Sequence, residues 1–170
     1  MIFKGRVAWV FGDHFDIDLI IGVRNIGKKG VNLKHLCMKD FDSEFEEKVC
    51  PGDLVVAGKN FGYGHPHRQG IAALKEVGIK AIIAQSFAPT FYRGYYGSGV
   101  TLLSSNFISK KIARWDEMEI NLFTYKIIHI RTNKAYSILP IPKAVKQVID
   151  AGGLLLALKK EVGNKEVLHD

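Results

Sequence analysis

Residues 58 to 70 read Gly58-Lys59-Asn60-Phe61-Gly62-Tyr63-Gly64-His65-Pro66-His67-Arg68-Gln69-Gly70 and hold the densest polar chemistry in the chain. Four glycines lie among two imidazoles, a guanidinium and two amides. Glycine lets backbone N–H groups approach an anion closely, and a helix that follows aims its first free N–H groups at the same place. The flanking sequence supplies that setting. Asp53-Leu54-Val55-Val56-Ala57 is a short β-branched run suited to a buried strand. Ile71, Leu74 and Val77 fall at helical spacing ahead of Gly78, a C-terminal stop. Strand, glycine-rich turn and helix together make a ligand site.

A second polar stretch is Gly12-Asp13-His14-Phe15-Asp16-Ile17-Asp18. A calcium loop would need oxygen ligands at regular offsets and a distant bidentate Glu, and neither is evident, so the aspartates read as turn and capping residues. Gly22 to Gly30 reads as a flexible basic loop carrying Arg24, Lys28 and Lys29. Arg24 is its best candidate for holding a carboxylate, because guanidinium can bind one bidentately. Arg93, beside Tyr92, reads equally as a substrate clamp or as a stacked structural arginine.

The elements that must position these residues follow the hydrophobic pattern. Residues 3 to 11 alternate as a strand running from edge to core, and 33 to 49 contain a short helix that Asp42 or Ser43 could cap. Ile79 to Ala84 is a second buried strand, parallel to the first because a helix connects them. An aromatic helix follows Pro89, and Val100 to Leu103 forms a further strand. Residues 117–122, 125–130 and 134–139 form a meander, with Arg131-Thr132-Asn133 as a turn. A helix from Pro142 to Ile149, a break at Ala151-Gly152-Gly153, and a last strand or helix docked on the core complete the chain. One mixed domain over residues 1–170 is expected, with residues 164–170 as a frayed tail.

The 170 residues suit one domain with a sizeable core, and a hydrophobic share of 47% argues against disorder. The N-terminus lacks the apolar run of a signal peptide, and no stretch approaches the roughly 18 residues of a membrane span, so a cytoplasmic protein is the default expectation. Cys37 and Cys50 form no Cys-x-x-Cys pair and have no histidines at metal spacing, so a metal or cluster would come from a partner. A net charge of +7 favours anionic ligands, but the Lys and Arg residues form no stripe, so nucleic acid is not expected as a partner.

In order along the chain, Phe11 to Asp18 is similar to an F-G-D-x-x-D-T-D segment, and Asp53 to Gly64 matches D-x-V-V-x-G-x-N-F-G-x-G. Ile79 to Ala84 with Ser86-Phe87-Ala88 and Phe91-Tyr92-Arg93 resembles a strand followed by S-F-A-R-x-F-Y-R, and Ala151-Gly152-Gly153-Leu154 matches a late A-G-G-L turn. Nearly end to end, the chain resembles the small subunit of 3-isopropylmalate dehydratase, the detached swivel domain of the aconitase superfamily. The resemblance implies an α/β fold: a mixed three-layer β/β/α swivelling domain with parallel core strands and a meander. It also implies a hydro-lyase that works with a larger subunit carrying a [4Fe–4S] cluster, the substrate, an anionic hydroxy acid, lying between the two chains. In such an enzyme the cluster acts as Lewis acid on the departing hydroxyl, a serine of the small subunit is the base, and arginines hold the carboxylates. Asn60, Gly62 and Gly64 fall on the family's substrate-binding approach. A homo-oligomer is the alternative assembly for the chain on its own.

The resemblance breaks after Gly64. Where the family reads G-S-S-R-E, this chain reads Gly64-His65-Pro66-His67-Arg68, so His65 stands at the serine and His67 at the arginine. Pro89 stands at the arginine of S-F-A-R. Proline removes one N–H donor, and His for Arg gives up the bidentate fork. Two readings follow. In one, the chain is a hydro-lyase small subunit for an unusual hydroxy acid, with His65 or His67 as base and Arg68 restoring a carboxylate contact. In the other, it keeps the swivel fold without catalysis and serves as a ligand-binding, regulatory or scaffolding protein.

Overall fold

The structure is a computed structural model that describes residues 1–106, 108 and 112–166. β1 (Ile2–Val10) is followed by two 3-10 turns, Ile17–Ile20 and Val23–Asn25, and by two single-turn helices, α1 (Leu33–Leu36) and α2 (Phe45–Lys48). Then come β2 (Leu54–Ala57), α3 (Arg68–Val77), β3 (Ala81–Ala84), α4 (Pro89–Tyr95) and β4 (Thr101–Ser104). The meander is β5 (Glu117–Asn121), β6 (Lys126–His129) and β7 (Lys134–Ser137), and the chain ends on α5 (Lys143–Ala151) and α6 (Leu154–Glu166).

The strands form one seven-stranded sheet in the order β4-β3-β2-β1-β5-β6-β7. β1 is its central strand, pairing parallel with β2 and antiparallel with β5. The edge-to-core placement expected for residues 3 to 11 therefore gives way to a central one. Alternation reports the faces of β1 and not its lateral neighbours, and its pairing with β2 slips between Val7 and Trp9.

β2, β3 and β4 are parallel, and β2 and β3 are buried on both faces, which is why those two read as unbroken apolar runs. Val55, Ile82 and Leu102 pack with Ile71, Leu74 and Val77 of α3 and with Phe91 of α4. The alternate residues Leu54, Val56, Ile83 and Leu103 pack with Met118, Ile120, Ile127 and Tyr136 of the meander. The sheet is thus curled, its antiparallel half lying over one face of its parallel half and the helices over the other. This is the expected three-layer β/β/α arrangement. Beyond β7, the Leu139 N–H donates to the Ser104 carbonyl of β4 at 2.8 Å, so the two ends of the strand order meet at one corner.

α3 is amphipathic, with Ile71, Leu74 and Val77 inward. It stops at Gly78, which is left-handed at φ 106° and donates its N–H to the carbonyls of Leu74 and Lys75. Gly70 lets the first turn of α3 lie directly on the Ile17–Ile20 turn, since a Cβ there would overlap the Ile17 carbonyl oxygen.

The last segment differs from expectation. It is a helix, and Leu154, Leu155, Leu156, Leu158 and Val162 are exposed instead of docked on the core. Three consecutive leucines point in directions about 100° apart around a helix, so no single packed face can cover them. The expected fray over 164–170 falls partly outside the described residues; as far as Glu166 the chain is helical.

Candidate functional site

The loops that leave the carboxyl ends of β1, β2 and β3 are bolted together by contacts remote in sequence. The Asp13 carboxylate accepts the Lys59 N–H at 2.7 Å, and the His14 N–H donates to the Lys59 carbonyl at 2.7 Å. The Asn60 N–H donates to Ser86 Oγ at 2.9 Å, and the Gly62 N–H to the Phe15 carbonyl at 2.9 Å. Gly62 has φ 80°, and a Cβ there would overlap the Phe91 ring, so only glycine lets this loop lie flat against α4. Gly64 is also left-handed, with φ 89°. Tyr95 of α4 donates its hydroxyl to the Pro66 carbonyl at 2.8 Å, pinning the loop at its proline.

His67 is the residue just before α3, and Asp18, only 7% exposed, faces it. Asp18 Oδ1 accepts the His67 backbone N–H at 2.9 Å, and Oδ2 lies 2.6 Å from His67 Nδ1. A carboxylate can only accept, so the neutral imidazole carries its proton on Nδ1 and leaves the Nε2 lone pair free. Half the His67 side chain surface is covered, its exposure being 43%. The His65 ring stands edge-on to it with centroids 5.3 Å apart. Two exposed-loop imidazoles in contact, one braced by a buried carboxylate, form an arrangement able to move a proton.

Of the other residues expected at the site, Asn60 is in this cluster. It is left-handed at φ 55°, with its Nδ2 3.0 Å from His14 Nδ1. Arg68 opens α3, exposed, and its charge partly offsets burial and the Asp18 charge, which together raise the Tyr95 hydroxyl above its ordinary value. Arg93 is exposed on α4, with no ion pair or ring contact among the described residues, so the stacked-structural reading finds no support.

Arg24 is already engaged, donating to Asp40 Oδ1 at 2.7 Å. The loop around it is crossed by specific hydrogen bonds. Buried Asn25 donates to the Ile21 carbonyl at 2.7 Å, and Gln69 of α3 accepts the Gly27 N–H at 2.8 Å while donating to the Lys28 carbonyl at 3.2 Å. The Gly27–Gln69 contact spans 42 positions along the chain.

The aspartates after β1 do cap and turn. Asp16 accepts the Asp18 N–H at 2.9 Å at the start of the Ile17–Ile20 turn. Asp18 does more, and the sequence offered only its place in an acidic run to find it by. Gln69 stood out only as one amide of the 58–70 stretch, and Tyr95 carried no signal. Among the described residues no group of three His, Cys, Asp or Glu side chains is placed to hold a metal ion. Cys37 is buried, with its thiol pushed well above the usual range by burial, and Cys50 is exposed elsewhere.

The fold and this loop cluster define an aconitase-type swivel domain: residues 26–106 match the aconitase C-terminal domain family. The chain is 37% identical over 166 residues to the isopropylmalate/citramalate isomerase small subunit of Methanocaldococcus jannaschii, covering 97% of this chain and 98% of the relative. It is 36% identical over 169 residues to the 3-isopropylmalate dehydratase small subunit of Thermodesulfovibrio yellowstonii, covering 98% and 99%. A crystal structure of 3-isopropylmalate dehydratase from M. jannaschii superposes with a TM-score of 0.85 at 36% identity, over 98% of each chain. The chain belongs to the 3-isopropylmalate dehydratase small-subunit family. Among the described residues no helix is long and apolar enough to cross a membrane.

Proposed function

We propose that this chain is one half of a two-chain hydro-lyase that dehydrates and rehydrates a hydroxy-carboxylic acid, with His67 as its proton acceptor. The larger chain of the pair carries a [4Fe–4S] cluster, which supplies the Lewis acid for the departing hydroxyl. This chain takes the proton. His67 Nε2 removes it from the carbon next to the carbinol, the C–H electron pair becomes the new π bond, and the C–O bond breaks; hydration runs the same steps in reverse. Asp18 holds the ring in the tautomer that leaves Nε2 basic and offsets the charge of the imidazolium that forms. His65 stands beside it. Arg68 and Arg93, both exposed and without ion pairs among the described residues, are available to meet substrate carboxylates. The names of the relatives make 3-isopropylmalate and citramalate the first to try.

The observation that carries this reading is the 2.6 Å contact of Asp18 with His67 Nδ1. Its test is reconstitution with an iron–sulfur large subunit and assay of hydration and dehydration on both acids. A pair that turns over, and that loses turnover in His67→Ala, supports it. A pair that binds these acids and melts higher with them, yet never turns them over, supports the alternative of a ligand-binding or regulatory swivel domain.

A further inference from the structure

His14 and His67 stand on neighbouring loops and are wired in opposite senses. His67 Nδ1 faces a carboxylate, so its outer nitrogen is an acceptor. His14 Nδ1 faces Asn60 Nδ2 at 3.0 Å, and an amide NH2 group can only donate. The lone pair of His14 must therefore sit on Nδ1, which puts the proton of its neutral ring on Nε2, the outer nitrogen. Tyr63 packs edge-on against the same ring, with centroids 5.9 Å apart and planes at 86°, and opposes its rotation.

The backbone suits the same pair. His14 and Asn60 are both left-handed at φ 55°, a conformation that His and Asn tolerate better than most side chains and that Met38, Trp115, Tyr125 and Asn133 adopt elsewhere. Both are exposed or half-exposed, so core packing does not explain them. The cross-bonds from Asp13, Lys59 and Ser86 hold them in that conformation.

Resting on the hydro-lyase reading, we propose that His14 is a further substrate-binding group of this site, donating Nε2–H to a carboxylate oxygen of the hydroxy acid. Asn60 is the positioning residue that keeps it a donor. One imidazole would then hold an anionic oxygen while the other accepts a proton, and neither could exchange roles without a change of partner.

The test separates the wiring from the enzyme. In the 15N-labelled chain at about pH 8.5, above the ordinary histidine range, long-range imidazole correlations should show His14 protonated at Nε2 and His67 at Nδ1. Asn60→Asp replaces the donor by an acceptor and should switch His14 to the Nδ1–H form. In the complex with the large subunit, titrating 3-isopropylmalate should move the His14 Nε2 resonance. His14→Phe should raise the dissociation constant or KM roughly tenfold or more, with kcat within about threefold. His14→Gln, whose amide nitrogen reaches the position of Nε2, should restore most of the affinity. Melting temperatures of the variants report whether they fold. An Nδ1–H tautomer in the parent chain, a His14 resonance indifferent to the ligand, or unchanged affinity in a folded His14→Phe complex would overturn the proposal. An inactive complex in which His14 still responds to the acid would instead count against the hydro-lyase reading alone.

Discussion

Two Asp–His pairs stand among the described residues, one beside each half of the sheet, and their surroundings differ in the way that would separate a site from a strut. In the parallel half, Asp18 serves His67 through both its oxygens, and the ring is 43% exposed at a loop. In the antiparallel half, Asp116 is shared. It lies 3.2 Å from His129 Nε2, off the line of a good hydrogen bond, and accepts from Arg131 at 3.0 Å and from the Ala113 N–H at 2.8 Å. His129 is 1% exposed, and its other nitrogen is taken up by Thr132 Oγ1 at 2.9 Å. The same two residue types therefore give a ring with a free outward nitrogen in one place and a ring with no access to any ligand in the other. Pairing alone does not distinguish the two rings; access from solvent does.

Four substitutions sharpen or break that contrast, from the largest expected effect downward. His67→Ala in the reconstituted complex should lower turnover by at least about a hundredfold with little change in melting temperature. Full activity there would return the base to His65, and full activity in His65→Ala as well would end histidine catalysis. Asp18→Asn, which keeps an acceptor for the His67 N–H but loses the charge, should lower kcat by about ten- to a hundredfold. A larger fall in melting temperature than in kcat would make Asp18 a strut like Asp116.

Asp116→Asn should do the reverse, destabilising the chain by about 2 kcal/mol in denaturant unfolding while leaving turnover of the folded complex unchanged. Its pH dependence has a definite sign. Burial pushes the Asp116 carboxyl up, but the Ala113 N–H, Arg131 and His129 outweigh it and hold it below its ordinary value. The stabilisation is thus full above the unfolded carboxylate range, about pH 4, and disappears as pH falls through the depressed folded value. Asp116→Asn should therefore lose less stability on acidification than the parent. The smallest effect is expected of Gln69→Ala. Losing two exposed hydrogen bonds to the Gly22–Gly30 loop should speed amide exchange at Gly27 by roughly fivefold, with less than about 1 kcal/mol of global destabilisation.

The strands of the parallel half were readable because both their faces are buried, so Leu54 to Ala57 and Ala81 to Ala84 show no polar interruption. The meander was readable because its alternation and the Arg131–Asn133 turn are local. The central position of β1 was not, since a strand's neighbours are set by pairing with β2 and β5, some 45 and 115 residues away along the chain. The same holds at the site. Asn60, His65 and His67 stand out by type, but Asp18 lies 49 residues from His67 and looked like a turn aspartate until the fold brought them together. Composition also misled at the end of the chain: Leu154 to Leu158 suggested burial and is exposed.

The corner where Leu139 bonds Ser104 has one more consequence. An open sheet ends in rows of unpaired N–H and C=O groups that recruit strands from other molecules. By curling until the segment just after β7 bonds the end of β4, this sheet covers that route at one corner, where a foreign strand would otherwise begin to pair.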